Sequence, residues 1–361
     1  MKQLFSWFSA RRLQLAILAG VALAGLVAYL LRGQLGPRGV AACGVLCFFG
    51  LCFALSKNPA AVRPRTLLTG VALQAGLALV ILETAFGRYL FGLLGDGVRR
   101  FLEFTDEGSR FVFGVLADPA SMEAAFGAGR DFVFAFRALP TIVFISAFFA
   151  VLYHLGVLQW IVRVLARSMM WVMGVSGAES LSAAANIFMG QTEAPLIVKP
   201  FIARLTESEL LAIMIGGFAT ISAGVMAVYI DMGAQAELLL VASVMSAPAS
   251  LLAAKILVPE DARPETAGRV RVVVERKEKN VIEALSQGAA DGMRLAINVA
   301  AMLIAFLAMI AMLDFLLGYL GSSLAEIFGC LFSPLAFLTG VEPADIAGAA
   351  DLLGTKLVAN E

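Results

Sequence analysis

Asn186-Ile-Phe-Met-Gly-Gln-Thr-Glu-Ala-Pro195 is a polar island in a chain whose residues are 60% hydrophobic. An ionisable side chain at the centre of a bilayer costs roughly 2.5–3.5 kcal/mol to insert, so such residues usually face a cavity, an ion or a substrate. Gly190 and Pro195 also interrupt any continuous helix, and irregular backbone is tolerated at membrane depth only where protein or a water-filled site satisfies it. The stretch therefore predicts a binding site inside a membrane.

The composition is typical of an all-α membrane protein surrounded by lipid. Only 15% of the residues are charged, against about 25% in soluble domains, and the mean hydropathy is +0.88. Basic and acidic residues number 27 each, so nothing indicates a nucleic-acid partner. The chain has one histidine and neither an H-E-x-x-H nor a G-x-S-x-G motif, which argues against an intramembrane enzyme.

Several uncharged runs approach or exceed the roughly 20 residues that a helix needs to cross a bilayer. The predicted spans are Leu13–Leu31, Gly39–Ser56, Thr66–Leu82, Phe132–Trp160, Leu210–Ile230, Leu238–Val258 and Leu295–Gly321. The basic residues around positions 2–12, 57–65 and 263–279 favour a cytoplasmic N-terminus in the cell's inner membrane. The segment 88–110 is amphipathic, so it is either a helix lying in the interface or a solvated loop.

Only about 30 residues separate Arg167 from Lys199, too few to cross and return as two full spans of roughly 20 residues each. Arg163 and Arg204, on either side of the polar island, both belong on the cytoplasmic face, which predicts a re-entrant hairpin. Pro334 and Gly340 break a second apolar run that starts from the opposite face. Two broken elements of opposite polarity are typical of inverted-repeat transporters, which hold the substrate where the two elements meet.

A further interruption lies within Leu210–Ile230, at Gly216-Gly-Phe-Ala-Thr-Ile-Ser-Ala-Gly224. Glycines and hydroxyls in mid-span indicate a locally unwound helix whose free carbonyls coordinate a cation. Small residues also line helix interfaces in membranes, so close packing is the alternative. The nearness of Asn186 and Gly190 in the sequence favours the ion site.

The run Ser182–Leu196 resembles the first re-entrant hairpin of the concentrative nucleoside transporters. The end of the chain, Gly354-Thr-Lys-Leu-Val-Ala-Asn-Glu361, matches the G-x-K-x-x-x-N-E signature of that family. Phe134–Thr141 and Ser243–Pro248 are also similar to it, and the likeness extends from about Gly39 to the last residue. The family continues past this signature with further helices, so we expect the second hairpin to be incomplete here and the chain to be longer.

The resemblance implies a homotrimer in which each scaffold holds a mobile transport domain that moves the site across the membrane as an elevator. It divides the chain into N-terminal membrane helices with an interfacial segment (1–160), the first hairpin (161–206), a discontinuous helix and its successor (207–258), a charged cytoplasmic linker (259–290), a long scaffold helix (291–321) and the second hairpin (322–361). The implied function is sodium-coupled symport of nucleosides, uridine or related compounds and possibly purine nucleosides. Proton-coupled symport and a channel-like sodium-binding protein without transport are the alternatives.

The matching positions also imply a substrate site. The nucleoside-binding residues would be Gln191, Thr192, Glu193, Val225, Leu295 and Glu361. The first three would face the nucleobase, since an amide that both donates and accepts suits the edge of a base. The two apolar residues would pack around the nucleoside, and the last carboxylate would accept hydrogen bonds from ribose hydroxyls.

The same comparison of positions implies a sodium site. Asn186 and Thr220 would contribute side-chain oxygens, and Met189 and Ile221 would contribute carbonyl oxygens. A hard cation takes oxygen ligands of this kind. Because both side-chain oxygens are retained, sodium is favoured over protons as the coupling ion.

Overall fold

A computed structural model describes residues 2–127, 132–191, 193–268, 278–319 and 321–359, with side chains for all of these except 2–12 and 357–359. Every regular element in these ranges is helical. The α-helices are α1 Lys2–Leu30, α2 Arg32–Ala54, α3 Pro64–Ala78, α4 Ala85–Phe113, α5 Pro119–Phe126, α6 Phe134–Leu155, α7 Val157–Met173, α8 Gly177–Ala185, α9 Ala194–Ile197, α10 Glu207–Ala219, α11 Ala223–Asp231, α12 Ala236–Leu257, α13 Val281–Gly318, α14 Leu324–Leu338 and α15 Ile346–Ala359.

Seven helical segments are long and apolar enough to cross a membrane. They are Leu13–Leu30, Arg32–Ala54, Pro64–Glu83, Phe134–Leu155, Glu207–Asp231, Ala236–Leu257 and Val281–Gly318. Each overlaps one predicted span, so the polytopic all-α architecture is confirmed. The amphipathic segment 88–110 lies within α4, which removes the solvated loop as an interpretation and leaves its location in the interface a prediction.

The boundaries around the first hairpin need correction. The predicted span Phe132–Trp160 ends at Leu155, because Gly156 adopts a left-handed φ of 82° that terminates α6. A separate amphipathic helix, α7, follows and ends at Gly174, whose φ is 68°. The hairpin therefore begins after α7 rather than at residue 161.

Two further boundaries differ in the C-terminal part. The predicted linker 259–290 is too long, since α13 already begins at Val281, and part of that linker (269–277) lies outside the described residues. Pro334 does not break its run, because α14 continues through it to Leu338. A proline removes one backbone donor, and the remaining bonds of α14 hold the helix. The reversal comes at Gly340, which has a left-handed φ of 82°.

The helices form two compact units. The first comprises residues 1–61, 256–259 and 302–361. Within it α1 packs along α2, and α14 packs along α15 as a helical hairpin. The Tyr29 ring meets Phe337 edge-on with centroids 5.6 Å apart, and Gly44 lies against the backbone of Leu338.

The second unit comprises residues 62–255 and 260–301 and contains the first hairpin, the discontinuous helix and the N-terminal part of α13. Here α13 approaches α6 through Gly288 and Gly292. A methyl group on Gly292 would lie 2.8 Å from the Cα of Val143 and 2.8 Å from the Cβ of Ser146. Glycines four residues apart let two membrane helices come this close.

Gly292→Val should destabilise the second unit, because the added side chain has no space against α6. Overpacking of a tight contact typically costs about 1–3 kcal/mol. The measurement is the thermal unfolding midpoint of the detergent-purified protein, with Gly318→Val as control, since nothing lies within 4 Å of a methyl group at that position of the same helix. Equal midpoints for the two variants would contradict the close packing.

Candidate ion and substrate site in the first hairpin

The first arm of the hairpin is a short buried helix that starts from a strong cap. Ser176 caps α8 in a capping box, its hydroxyl accepting from the Glu179 N–H while Glu179 accepts from the Ser176 N–H. All residues of α8 are buried, and most are alanine or serine. Small side chains of this kind let neighbouring helices pack closely around the arm.

The second arm returns with little regular helix. The loop 186–193 follows α8, and α9 has only four residues, Ala194–Ile197, with Pro195 in its first turn. A 3-10 segment, Lys199–Arg204, completes the return. The predicted interruption by Gly190 and Pro195 is thus confirmed.

The helix predicted to be discontinuous is also broken in the structure. α10 ends at Ala219, the chain is extended at Thr220 (φ −126°, ψ 156°), and α11 begins at Ala223 after Ser222. The Ser222 hydroxyl accepts from the Val225 N–H and so caps α11. The break therefore leaves the last carbonyls of α10 without helical partners.

The hairpin loop and this break lie directly against each other. The Ala223 N–H donates to the Phe188 carbonyl at 3.3 Å. A methyl group on Gly217 would lie 3.0 Å from Gln191 Cβ, and one on Gly190 would lie 3.1 Å from Ser222 Cβ. Glycine at these positions therefore allows the two irregular segments to touch.

Asn186 occupies the most informative position in this contact. It is 0% exposed, and neither its Oδ1 nor its Nδ2 has a hydrogen-bond partner in the described part of the chain. A methyl group on Gly216 would lie 3.0 Å from its Nδ2, which places the amide beside the end of α10. A buried amide without partners costs roughly 1–3 kcal/mol, so a partner from outside the described residues is expected here.

The surroundings of this amide favour a cation. α8 ends at Asn186 and α10 ends at Thr220, so two helix C-termini point toward the same place. Each C-terminus carries the equivalent of about half a negative charge. Thr220 is 4% exposed, and its hydroxyl donates to the Gly216 carbonyl at 2.9 Å, which leaves the oxygen's lone pairs free to face an ion. Amide, hydroxyl and carbonyl oxygens are suitable ligands for sodium.

Other residues of the predicted ion and substrate sites lie in the hairpin loop and in the helix break. Met189 and Ile221 lie in the hairpin loop and in the helix break, where their backbone carbonyls belong to the two segments in contact. Gln191 is half-buried over Gly217, whereas Glu193 is exposed.

The apolar and terminal residues of the predicted substrate site are less closely linked to the loop. Val225 lies in the first turn of α11, and Leu295 packs from α13 against a cluster around Ala138 and Ile142. Thr192 and Glu361 lie outside the described residues.

A buried charged cluster, not predicted from the sequence, lies at the other end of α8 and α10. Lys255 Nζ lies 2.7 Å from Glu179 Oε2, 3.2 Å from Glu260 Oε2 and 2.9 Å from the Ser208 hydroxyl. Glu209 accepts from the Ser176 hydroxyl at 2.5 Å, and it also closes the capping box of Thr206 at the start of α10. The N-termini of α8 and α10 are therefore adjacent, as their C-termini are.

The helix ends offset part of the negative charge of this cluster. The Lys255 ammonium pairs with Glu179 and Glu260, Glu209 accepts from hydroxyls, and all four residues are less than 9% exposed. The N-termini of α8 and α10 each add the equivalent of about half a positive charge, and hydroxyl donors satisfy further carboxylate oxygens. The local signals were present in the sequence, since Ser-Gly-Ala-Glu179 and Thr-Glu-Ser-Glu209 both have the capping-box pattern.

Three family models cover most of the chain. Residues 43–116 match the Na+ dependent nucleoside transporter N-terminus, residues 135–236 match a nucleoside recognition domain described as Gate, and residues 238–361 match the Na+ dependent nucleoside transporter C-terminus. The matched regions include both hairpins and the discontinuous helix.

Full-length relatives agree with these models. The chain is 42% identical to an uncharacterized transporter of Haemophilus influenzae over 88% of its own length and 76% of that protein. It is 37% identical to rat sodium/nucleoside cotransporter 2, over 96% of this chain and 52% of that protein. It is 40% identical to human solute carrier family 28 member 3, over 88% of this chain and 45% of that protein. The chain thus spans about half the length of these mammalian relatives.

Solved structures show the same fold. CNTnw in an inward-facing substrate-bound state superposes with a TM-score of 0.83 at 40% identity, over 88% of this chain and 77% of that one. A CNTnw variant in an outward-facing state also gives a TM-score of 0.83.

Lys255→Met should strongly destabilise the protein, because it leaves the buried carboxylates of Glu179 and Glu260 without their cation. Removing one partner of a buried ion pair typically costs about 3–5 kcal/mol. Glu179→Gln in the Lys255→Met background should restore part of that loss, whereas the exposed Lys279→Met should have little effect. Thermal unfolding in detergent measures all three, and an unchanged midpoint for Lys255→Met would contradict the role of the cluster.

Proposed function

This chain belongs to the family of Na+-dependent nucleoside transporters, and we propose from that membership that it carries nucleosides into the cell together with sodium ions. The relatives named as sodium/nucleoside cotransporters support sodium as the coupling ion and nucleosides as the substrate class. Uridine and related nucleosides are the first candidates for the substrate, and purine nucleosides are included in the proposal.

The observation that carries the proposal is the buried amide of Asn186. It has no partner within the described residues, and it lies where α8 and α10 both end. Sodium at this point would be held by the side-chain oxygens of Asn186 and Thr220 and by the carbonyl oxygens of Met189 and Ile221. A bound cation would then satisfy the amide oxygen and the two negative helix ends together.

The nucleoside would lie beside the ion on the hairpin loop. Gln191, Thr192 and Glu193 would bind the base, directly or through water, while Val225 and Leu295 supply apolar contacts and Glu361 accepts from the ribose. The half-buried amide of Gln191, held over Gly217 next to the ion ligands, supports this arrangement. Sodium bound at Asn186 would order the loop that presents these groups, so the two ligands would each strengthen the binding of the other.

Transport would follow from movement of the hairpin and the discontinuous helix as one body. Their contacts at both ends, through the glycines near Asn186 and through Lys255, support such a rigid transport domain. A relative solved in inward-facing and outward-facing states is consistent with an elevator of this kind. We further propose a homotrimer in the inner membrane with a cytoplasmic N-terminus, as the bias of the basic residues favours.

The direct test is uptake of radiolabelled uridine into proteoliposomes with an inward sodium gradient. Uptake should exceed that with an equal potassium or choline gradient, and it should be reduced by excess unlabelled nucleoside. Equal uptake with all three cations, at any pH gradient, would refute sodium coupling, and the absence of any uptake would refute transport.

Asn186→Ala should raise the sodium concentration for half-maximal uptake by roughly tenfold or more. A contact to a charged group contributes about 1.5–3 kcal/mol, and 1.4 kcal/mol corresponds to a factor of ten. The exposed Asn58→Ala is the matched control and should retain the normal sodium response. A normal response for Asn186→Ala as well would remove this residue from the site.

Glu193→Gln should raise the uridine concentration for half-maximal uptake by roughly tenfold, because the amide cannot make a charge-assisted bond to the nucleoside. Sodium titrations at saturating uridine should change much less, since this residue is not among the proposed ion ligands. Glu103→Gln on the exposed face of α4 is the control. Unchanged uridine kinetics in Glu193→Gln would contradict a role at the base.

A further inference from the structure

The helix α7 has a second face that neither the ion site nor the substrate site uses. Its inner face packs into the core of the first hairpin through Leu158, Val162 and Ala166, against Leu181 and Ile197 of the hairpin arms. Its outer face is open, and Trp160 and Trp171 on it are 63% and 78% exposed. The other face of α7 is already packed. Large aromatic side chains with this much exposed surface therefore indicate that the outer face binds another molecule.

The outer face forms a shallow groove of about 450 Å³. Its lining residues all come from α7 and are Trp160, Arg163, Val164, Arg167, Ser168 and Trp171. The two tryptophans stand at the ends of the groove, and the two arginines lie between them. Residues four apart on a helix are neighbours, so Arg163 and Arg167 direct two guanidinium groups to one place.

Within the described residues, Arg163 and Arg167 have no acidic partner. α7 contains no acidic residue, and neither guanidinium lies within 4.0 Å of a carboxylate among the described residues. Several other arginines are paired with carboxylates, as Arg137 with Asp231 at 2.9 Å and Arg204 with Glu265 at 2.8 Å. Two adjacent unpaired guanidinium groups attract an anion.

The tryptophans indicate where that anion lies. Indole rings collect at the level of lipid headgroups, where one edge is apolar and the other is wet. The predicted topology puts Arg163 and Arg167 at the cytoplasmic leaflet, whose anionic lipids give it a negative surface potential. A guanidinium pair binds phosphate oxygens bidentately.

We propose that this outer face of α7 binds the phosphate headgroup of an anionic phospholipid. The arginines hold the phosphate, and the tryptophans pack against the glycerol region and upper acyl chains. Because the opposite face of α7 packs on both hairpin arms, the bound lipid holds the base of the hairpin at the membrane surface. The binding itself is independent of nucleoside and sodium, so it stands or falls apart from the proposed transport.

The experiment measures fluorescence quenching by brominated lipids in nanodiscs. The full chain has three tryptophans, and Trp7→Phe leaves emission only from Trp160 and Trp171. Brominated phosphatidylglycerol, at low mole fraction in unlabelled phosphatidylcholine, should quench this emission at far lower lipid content than brominated phosphatidylcholine does. Two basic residues at an anionic surface correspond to a preference of about thirtyfold.

Arg163→Gln with Arg167→Gln should reduce that preference to near unity, whereas Arg163→Lys with Arg167→Lys should retain a smaller one. Arg88→Gln with Arg100→Gln on α4 is the matched control and should change nothing. Millimolar inorganic phosphate should not compete, which separates a lipid site from a site for free phosphate. Equal quenching by both lipids, weak quenching by either because protein covers the face, or full competition by phosphate would each overturn the proposal.

Discussion

The structure depends on the requirement that irregular backbone at membrane depth be satisfied by protein. The loop 186–193 and the break 220–222 are both irregular, and neither could face hydrocarbon alone. They satisfy part of this requirement together, through the bond from the Ala223 N–H to the Phe188 carbonyl and through close approaches at Gly190 and Gly217. Any larger residue at these glycines would separate the segments, so the site exists only because the two interruptions are in contact.

The two ends of the helix pair α8 and α10 carry partial charges of opposite sign. α8 and α10 start side by side at Ser176 and Glu209, whose side chains are hydrogen-bonded, and they end side by side at Asn186 and Gly216. Their positive ends are matched by buried carboxylates that Lys255 compensates in part. Their negative ends have no such match, and the unpaired amide of Asn186 lies there. The parallel arrangement therefore fixes one end and prepares the other for a cation.

The sequence predicted the elements that depend on local chemistry. Gly190 and Pro195 interrupt the hairpin, and Thr220 ends a helix, as residues of those types should. The lysine cluster is not predictable from the sequence, because Glu179, Lys255 and Glu260 meet only after folding, although each capping box is visible locally.

The start of α13 lies earlier than the hydropathy predicts, because polar residues such as Glu283 and Asp291 conceal a buried stripe of Ala284, Gly288 and Gly292. Hydropathy does not register small residues at helical spacing, yet such residues determine close packing. Pro334 was given too much weight, since one missing donor does not end a well-packed helix.

The two ends of the first hairpin therefore differ: polar groups are paired at the Lys255 end, and the Asn186 amide at the other end has no partner among the described residues. The glycine contacts and the charged cluster join the hairpin to the discontinuous helix at two places, which supports the proposal that the two move together. The Asn186 amide has no partner among the described residues, so a bound ligand would lower its free energy. In such a site the paired groups of the Lys255 cluster hold the backbone rigid, and the Asn186 amide is the group that a ligand would engage. Under the proposed function, coupling would follow from this division, because an ion that ordered the loop at Asn186 would change the surface offered by Gln191 while the base of the hairpin at Lys255 stayed fixed.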